Sequence, residues 1–164
     1  MSRFGIQRTL WLLVVLGLAG SALSAEPTPL EKVLTKKISF NAGTGAKEFA
    51  FRDLADDVQK FEPTFAIEIR DKDFLNEGFT RVNHRLERRY VDQTVAEILT
   101  ALVLRENPIP KVKPHDPDQK IVWVIAADPA DPAKQIILIT TRAAAKKRGD
   151  KLPEVFERSP TVEP

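Results

Sequence analysis

Apolar residues recur at helical spacing in two parts of the chain, and each part predicts a helix with one buried side. The first set recurs at steps of three and four residues and is followed by Pro63: Phe51, Leu54, Ala55, Val58 and Phe61. The second set predicts a helix from about Thr94 to Arg105: Val95, Ile98, Leu99, Leu102 and Val103. Thr94 and Glu97 have the spacing of a capping box, in which each side chain bonds the other residue's free backbone amide.

Strands are predicted where apolar and polar residues alternate or where Ile and Val accumulate. Five segments qualify: the stretch ending at Phe40, Thr64 to Arg70, Arg85 to Val91, Ile121 to Ala127 and Gln135 to Thr141. A Pro-rich turn between the last two predicts an antiparallel hairpin, and the polar stretches Asn41 to Gly45 and Asp71 to Asn83 predict loops. The order strand, helix, strand, strand, helix, strand, strand predicts an α+β fold with one small mixed sheet and two helices on one face.

The first 25 residues have the three zones of a secretory signal peptide. Arg3 and Arg8 precede the apolar stretch from Leu10 to Ala19, and small residues follow, so cleavage is expected between Ala22 and Glu26. An uncleaved anchor is the alternative, but the apolar stretch ends before the ~20 residues that a membrane span needs. The chain is therefore expected in the periplasm or outside the cell. The rest divides into a linker at 26–32, a domain at 33–142, and a basic, Pro-containing tail at 143–164 with a short helix and then disorder.

Cleavage changes how the charge is interpreted. Loss of Arg3 and Arg8 leaves 23 basic residues against 23 acidic ones, so the formal net charge falls from +2 to 0. A neutral chain gives no indication of nucleic-acid binding, which requires a clustered positive surface. The absence of Cys excludes disulfides, thiolate metal sites, a Cys nucleophile and lipid attachment at Cys.

No catalytic, cofactor-binding or metal-binding residues are predicted. The segment from Asp71 to Gly78 lacks the ligand spacing of a calcium loop, and His84 and His115 lack the spacing of a metal pair. The glycines at 43 and 45 lack the ending of a phosphate-binding loop. Sequence order leaves a Ser-His-Asp assembly open, because such groups meet in space, although no Gly-x-Ser-x-Gly elbow is present.

A basic cluster is the one candidate docking patch: Arg81, Arg85, Arg88 and Arg89. Only Glu87 balances it. One interpretation is a solvated edge strand whose charges block aggregation. The other is a docking surface for an acidic partner or an anionic envelope polymer.

Several segments together resemble a known domain family: Ile38-Ser39-Phe40, Phe51-x-x-Leu54-Ala55, Phe65-Ala66-Ile67-Glu68-Ile69, Thr94-Val95-x-x-Ile98-Leu99 and Ile136-Ile137-Leu138-Ile139-Thr140-Thr141. The pattern resembles the short N-terminal domain shared by secretins and TonB-dependent receptors, and it covers roughly Val33 to Thr141. The chain departs from that family in its charged stretch from Arg85 to Tyr90, and no pore-forming or barrel region follows. The resemblance implies a small α+β domain used for protein contacts in the periplasm.

The expected function is that of a non-enzymatic protein-interaction module of the bacterial envelope, with an envelope protein as partner and no cofactor. Two alternatives come from other classes. One is a small-ligand-binding periplasmic domain that uses the cleft between the helices and the sheet. The other is a hydrolase that uses carboxylates such as Asp56 and Asp57, but adjacent helix positions point about 100° apart and do not face one substrate atom together.

The signal-peptide assignment predicts the mass of the exported protein. Mass spectrometry of the protein recovered from outside the cytoplasm should give a chain that begins between residues 23 and 26. Recovery of an intact Met1 would contradict cleavage and favour the anchor.

Overall fold

The computed structural model describes residues 27–42, 47–79 and 88–157. In chain order, its helices and strands are α1 Pro29–Leu34, β1 Lys37–Ala42, α2 Lys47–Gln59, β2 Ile67–Ile69, α3 Asp71–Asn76, β3 Arg88–Thr94, α4 Val95–Glu106, β4 Ile121–Ala127, β5 Gln135–Thr141, α5 Arg142–Arg148 and α6 Glu154–Glu157. The predicted α+β class is confirmed, and the predicted order of strands and helices is recovered with three additional helices, α1, α3 and α6. No helix in the described ranges has the length and apolar character that crossing a membrane requires.

The strands are divided between two sheets, whereas the sequence pattern predicted a single sheet. β1 and β3 form an antiparallel ribbon, and β2, β5 and β4 form a mixed sheet in that order, with β2 parallel to β5. Helices α2 and α4 pack against each other, and each also contacts one strand of each sheet. The two helices therefore form a layer between the sheets, and do not cover one face of a single sheet.

Helix α4 has the burial that this middle position requires. Its buried residues cover roughly 200° of its circumference at ~100° per residue. The predicted capping box is present: the Thr94 hydroxyl accepts from the Glu97 backbone N–H at 3.2 Å, and the Glu97 carboxylate accepts from the Thr94 backbone N–H at 2.7 Å. A helix buried over so wide an arc needs cover from two sides, which the two sheets supply.

Helix α2 is shorter than its apolar spacing predicted. Phe51, Leu54 and Val58 are buried as expected, but the helix ends at Gln59. Phe61 lies beyond this end and is 37% exposed, with the Lys36 ammonium 3.5 Å from its ring centroid. The prediction that Phe61 belongs to the buried side of the helix is therefore wrong, because the chain turns before reaching it.

The hairpin of β4 and β5 is confirmed with its predicted boundaries. Its register runs from Ile121 opposite Thr141 to Ala127 opposite Gln135. The predicted strand from Thr64 to Arg70 is reduced to Ile67–Ile69, which pairs with β5, and Phe65 is buried just before it. The hairpin contains the longest run of paired residues in the mixed sheet, and β2 is a short edge strand beside β5.

Two segments expected to be irregular are helices. The linker expected at 26–32 overlaps α1, which has a Thr28–Glu31 capping box and buries Leu30, Val33 and Leu34. The loop expected from Asp71 begins with α3, which buries Phe74 against the core. Both helices are short, so their apolar residues are too few to show a helical repeat in the sequence.

The tail expected at 143–164 is folded as far as Glu157. Helix α5 agrees with the predicted short helix, but α6 follows it where disorder was expected. Phe156 is 1% exposed and packs edge-on against Trp123 at 6.2 Å between ring centroids. The Arg142 guanidinium joins three segments by donating to the backbone carbonyls of Pro114, Gln119 and Phe156 at 2.8–3.0 Å. The domain boundary expected at residue 142 therefore moves to at least residue 157.

Phe156→Ala should lower the free energy of unfolding by about 3–5 kcal/mol, because it removes a buried aromatic ring from the core. Urea denaturation of the mature chain measures the change, and Glu157→Ala, at an exposed position of the same helix, is the matched control. A loss below about 1 kcal/mol, the range of ordinary surface substitutions, would contradict the integration of α6 into the domain.

Candidate functional site

A groove lies between the outer side of α4 and helix α6. Its volume is about 410 Å³. We call it the α4–α6 groove and define it by its lining residues: Ala96, Glu97, Thr100, Ala101, Leu104, Trp123, Pro153, Glu154 and Val155. Apolar atoms dominate its surface, and Val155 at its edge is 41% exposed. This surface can bind an apolar group without desolvating many polar atoms.

Three elements build the groove. Helix α4 contributes Ala96 and Ala101, which are half-buried and pack against the core, and these small side chains leave the surface concave. Strand β4 contributes Trp123 to the floor, and the segment around α6 contributes the far wall. Phe156 and the Arg142 hydrogen bond to its carbonyl hold α6 in this position.

The polar atoms of the floor are satisfied by one another. The Trp123 indole Nε1–H donates to the Thr100 hydroxyl oxygen at 3.0 Å. The Thr100 hydroxyl in turn donates to the Ala96 carbonyl at 2.8 Å. Since these groups already have partners, the floor presents mainly carbon surface to a bound molecule.

The rim near the start of α4 is acidic. Glu97 and Glu154 both line the groove. The Glu97 carboxylate accepts from the Thr94 backbone N–H at 2.7 Å and from the Thr94 hydroxyl at 2.9 Å. These hydrogen bonds, the backbone one above all, lower the pKa of Glu97, so its carboxylate stays ionised at neutral pH. The capping box therefore places a fixed negative charge at this end of the groove.

A second depression of about 480 Å³ continues past the other end of α4. Leu104 lines both depressions, so the two lie next to each other along α4. Arg105 and Lys111 line the second depression and are exposed. An acidic rim, an apolar floor and a basic end therefore follow one another along α4.

A cavity of about 580 Å³ lies elsewhere, between α1 and the turn of the hairpin. Its lining includes the polar residues Thr28, Thr64, Lys134 and Gln135. Lys134 lies 3.3 Å from the Asp131 carboxylate, so its charge is already paired within the turn. This cavity is larger, but it lacks the continuous apolar floor of the α4–α6 groove.

The predicted basic patch is described only in part. Arg81 and Arg85 lie outside the described residues, Arg88 begins β3, and Arg89 is exposed on β3 opposite Asn41. Arg89 does not line the α4–α6 groove. Docking at these arginines stays a prediction.

Strand β3 also carries an irregularity beside this patch. The register between Ile38–Phe40 and β3 shifts by one residue, Asp92 has a left-handed φ of 52°, and Val91 is 57% exposed. The Asp92 carboxylate lies 3.2 Å from the Lys37 ammonium. A bulge of this kind twists a strand edge and hinders edge-to-edge pairing with another chain.

Two of the other polar residues weighed in the sequence, Asp73 and Asp57, have ionic partners within the domain. The Asp73 carboxylate accepts from the Thr140 hydroxyl at 2.5 Å and from Arg148 Nη1 at 2.6 Å, which joins α3, β5 and α5. Asp57 pairs with Lys60 at 2.5 Å, whereas Asp56 is exposed. His115 is half-buried in the segment between α4 and β4, and His84 lies outside the described residues. Within the described ranges, no group of three or more His, Cys, Asp or Glu could hold a metal ion.

Sequence reasoning missed the α4–α6 groove because its walls come from distant segments. Trp123 was assigned to a strand and Val155 to an irregular tail. One signal was present: Ala101 and Leu104 are apolar but lie off the predicted buried stripe of α4. Such extra apolar positions indicate that a helix has a second contact surface.

Comparison with known proteins gives no match: no protein-family model, curated protein sequence or solved structure matches this chain. The resemblance to the short N-terminal domain of secretins and TonB-dependent receptors therefore stays a prediction.

The lowered pKa of Glu97 predicts a pH-dependent contribution to stability. Because folding depresses this pKa below its ordinary value of 4.5, the contribution is full above about pH 4.5 and is lost as the pH falls through the folded-state value. Glu97→Gln keeps an amide oxygen that can cap Thr94 but does not titrate. The melting temperature of the natural chain should exceed that of the variant by more at pH 7 than at pH 3. An equal difference at both pH values would contradict the lowered pKa.

Proposed function

We propose that this chain is an exported, non-enzymatic protein-interaction module of the bacterial envelope and that the α4–α6 groove is its contact surface. The observation that carries the proposal is an open, apolar concavity with Trp123 in its floor, built on a folded domain. Trp123 itself is 4% exposed, so a partner contacts chiefly the half-buried Leu104 and the exposed Val155. The export signal expected at residues 1–25 supports the envelope location.

The dimensions of the groove favour a short segment of a partner protein. A volume of about 410 Å³ accommodates a few side chains, which is fewer than the number that an interface between two domains involves. Recognition of a peptide or helix by a hydrophobic groove uses anchors of this kind. The position of the groove on the outer side of α4 leaves it open to such a segment.

The placement of ionisable groups supports binding over chemistry. The groove carries carboxylates at its rim, while its floor is formed by Ala101, Leu104 and Trp123. General acid–base catalysis needs a positioned proton donor or acceptor next to the reacting atom. The hydrolase alternative gains no support from this arrangement, because Asp57 lies on α2, outside the groove, and is paired with Lys60 just after that helix.

A small apolar ligand is the second candidate occupant. The groove volume falls within the range of about 300–1,000 Å³ that small-molecule sites occupy. The location differs from the cleft between helices and sheet that the sequence suggested. The experiment below distinguishes this occupant from a protein.

Site-specific photo-cross-linking in the chain's own host cells tests the proposal. A photoreactive residue at position 155 should form discrete adducts of protein mass. When it is combined with the photoreactive residue at position 155, Ala101→Glu should lower the adduct yield at least tenfold, because it places a carboxylate against the apolar floor of the groove. Ala143→Glu, at an exposed position of α5, is the matched control and should leave the yield unchanged.

Two results would contradict the proposal. One is an adduct yield that Ala101→Glu and Ala143→Glu affect equally, with both variants folded by circular dichroism. The other is the absence of protein adducts combined with thermal stabilisation of the chain by an apolar dye or fatty acid, which would favour the small-ligand alternative.

A further inference from the structure

Resting on the proposed function, we infer that the partner segment is an apolar stretch of protein with a cationic residue at one end and an anionic residue at the other. The two neighbouring depressions carry opposite charges, with Glu97 in the first and Arg105 and Lys111 in the second, and the apolar Leu104 lines both. Complementary charge selects and orients a partner more than it adds affinity. The apolar floor binds the segment, and the ends determine which way it lies.

The acidic end has a charge that is fixed in position. Thr94 holds the Glu97 carboxylate by two hydrogen bonds, so the carboxylate does not sample many rotamers. The Lys37 ammonium is close enough to help lower the pKa of Glu97, but its own ion pair is with the Asp92 carboxylate, at 3.2 Å. Glu154 faces the same groove from the α6 side. A Lys or Arg of the partner is complementary to this end, where Glu97 carries the fixed charge.

The basic end lies where α4 stops. Arg105 is in the last turn of α4, and Lys111 lies on the segment that follows. Both side chains are exposed and line the depression beyond Leu104. An Asp or Glu of the partner is complementary to this end.

The helix sets the spacing between the two charges in the partner. Glu97 and Arg105 are eight positions apart, which corresponds to a rise of about 12 Å along α4. An extended segment covers this distance with about four residues at ~3.3 Å each. A helical segment needs about eight residues. The partner should therefore carry its opposite charges four to eight residues apart, with apolar residues between them.

The test uses the photoreactive residue at position 155 and neutralises one end of the groove at a time. Glu97→Gln and Arg105→Gln should each lower the adduct yield about two- to fivefold, as expected for one exposed ion pair. The double variant should lower it further. Lys146→Gln, at an exposed position of α5, is the matched control and should have no effect. Mass spectrometry of the adduct should identify a partner peptide with the spacing given above.

The outcomes separate this inference from the proposed function. If Ala101→Glu abolishes the adducts but Glu97→Gln and Arg105→Gln leave their yield unchanged, the groove binds a protein and the inferred charge pattern is wrong. A cross-linked partner peptide without opposite charges at its ends would overturn the inference in the same way. If position 155 forms no protein adducts at all, both fail.

Discussion

The burial of α4 between two separate sheets is the constraint on which the rest of the structure depends. Ile98, Leu99, Leu102 and Val103 are completely buried, and each such side chain contributes about 1.5–3 kcal/mol by its removal from water. No single sheet reaches all of the roughly 200° arc that these and neighbouring residues occupy. The ribbon of β1 and β3 covers one part, and β4 covers another. The groove forms beside this arc, where Ala96, Ala101 and Leu104 are only half-buried.

The C-terminal segment completes the groove because it returns to α4 after passing the mixed sheet. Arg142 makes this return possible, since one guanidinium joins the carbonyls of Pro114, Gln119 and Phe156. Hydrogen bonds from a charged donor contribute about 1.5–3 kcal/mol each, and their fork geometry fixes direction as well as distance. Asp73 and Arg148 make a second connection, between α3 and α5. The Arg142 hydrogen bond to the Phe156 carbonyl and the packing of Phe156 on Trp123 hold α6 in place, so the groove wall that it provides is preformed.

A preformed groove lowers the entropic cost of binding, which is the physical basis for assigning it a contact role. The polar groups of its floor hydrogen-bond to one another: the Trp123 indole donates to the Thr100 hydroxyl, which donates to the Ala96 carbonyl. Its charge resides at the ends, where Glu97 is held by a helix cap. Arg89, whose side chain the structure describes, is exposed on β3 and does not line the groove. The bulge at Asp92 next to it agrees with a strand edge protected against pairing.

The sequence by itself determined the elements whose signals are local. The hairpin boundaries and the start of α4 follow from runs of Ile and Val, a Pro-rich turn and a capping box, all readable within a few residues. Phe61 fits the apolar spacing of α2 yet lies outside it, because the position of the helix end depends on packing. Only the tertiary structure decided that the strands form two sheets, that the tail folds back, and that Trp123 meets Phe156. These features arise from contacts between residues far apart in the chain, and periodicity within one segment carries no information about which distant segment will cover it.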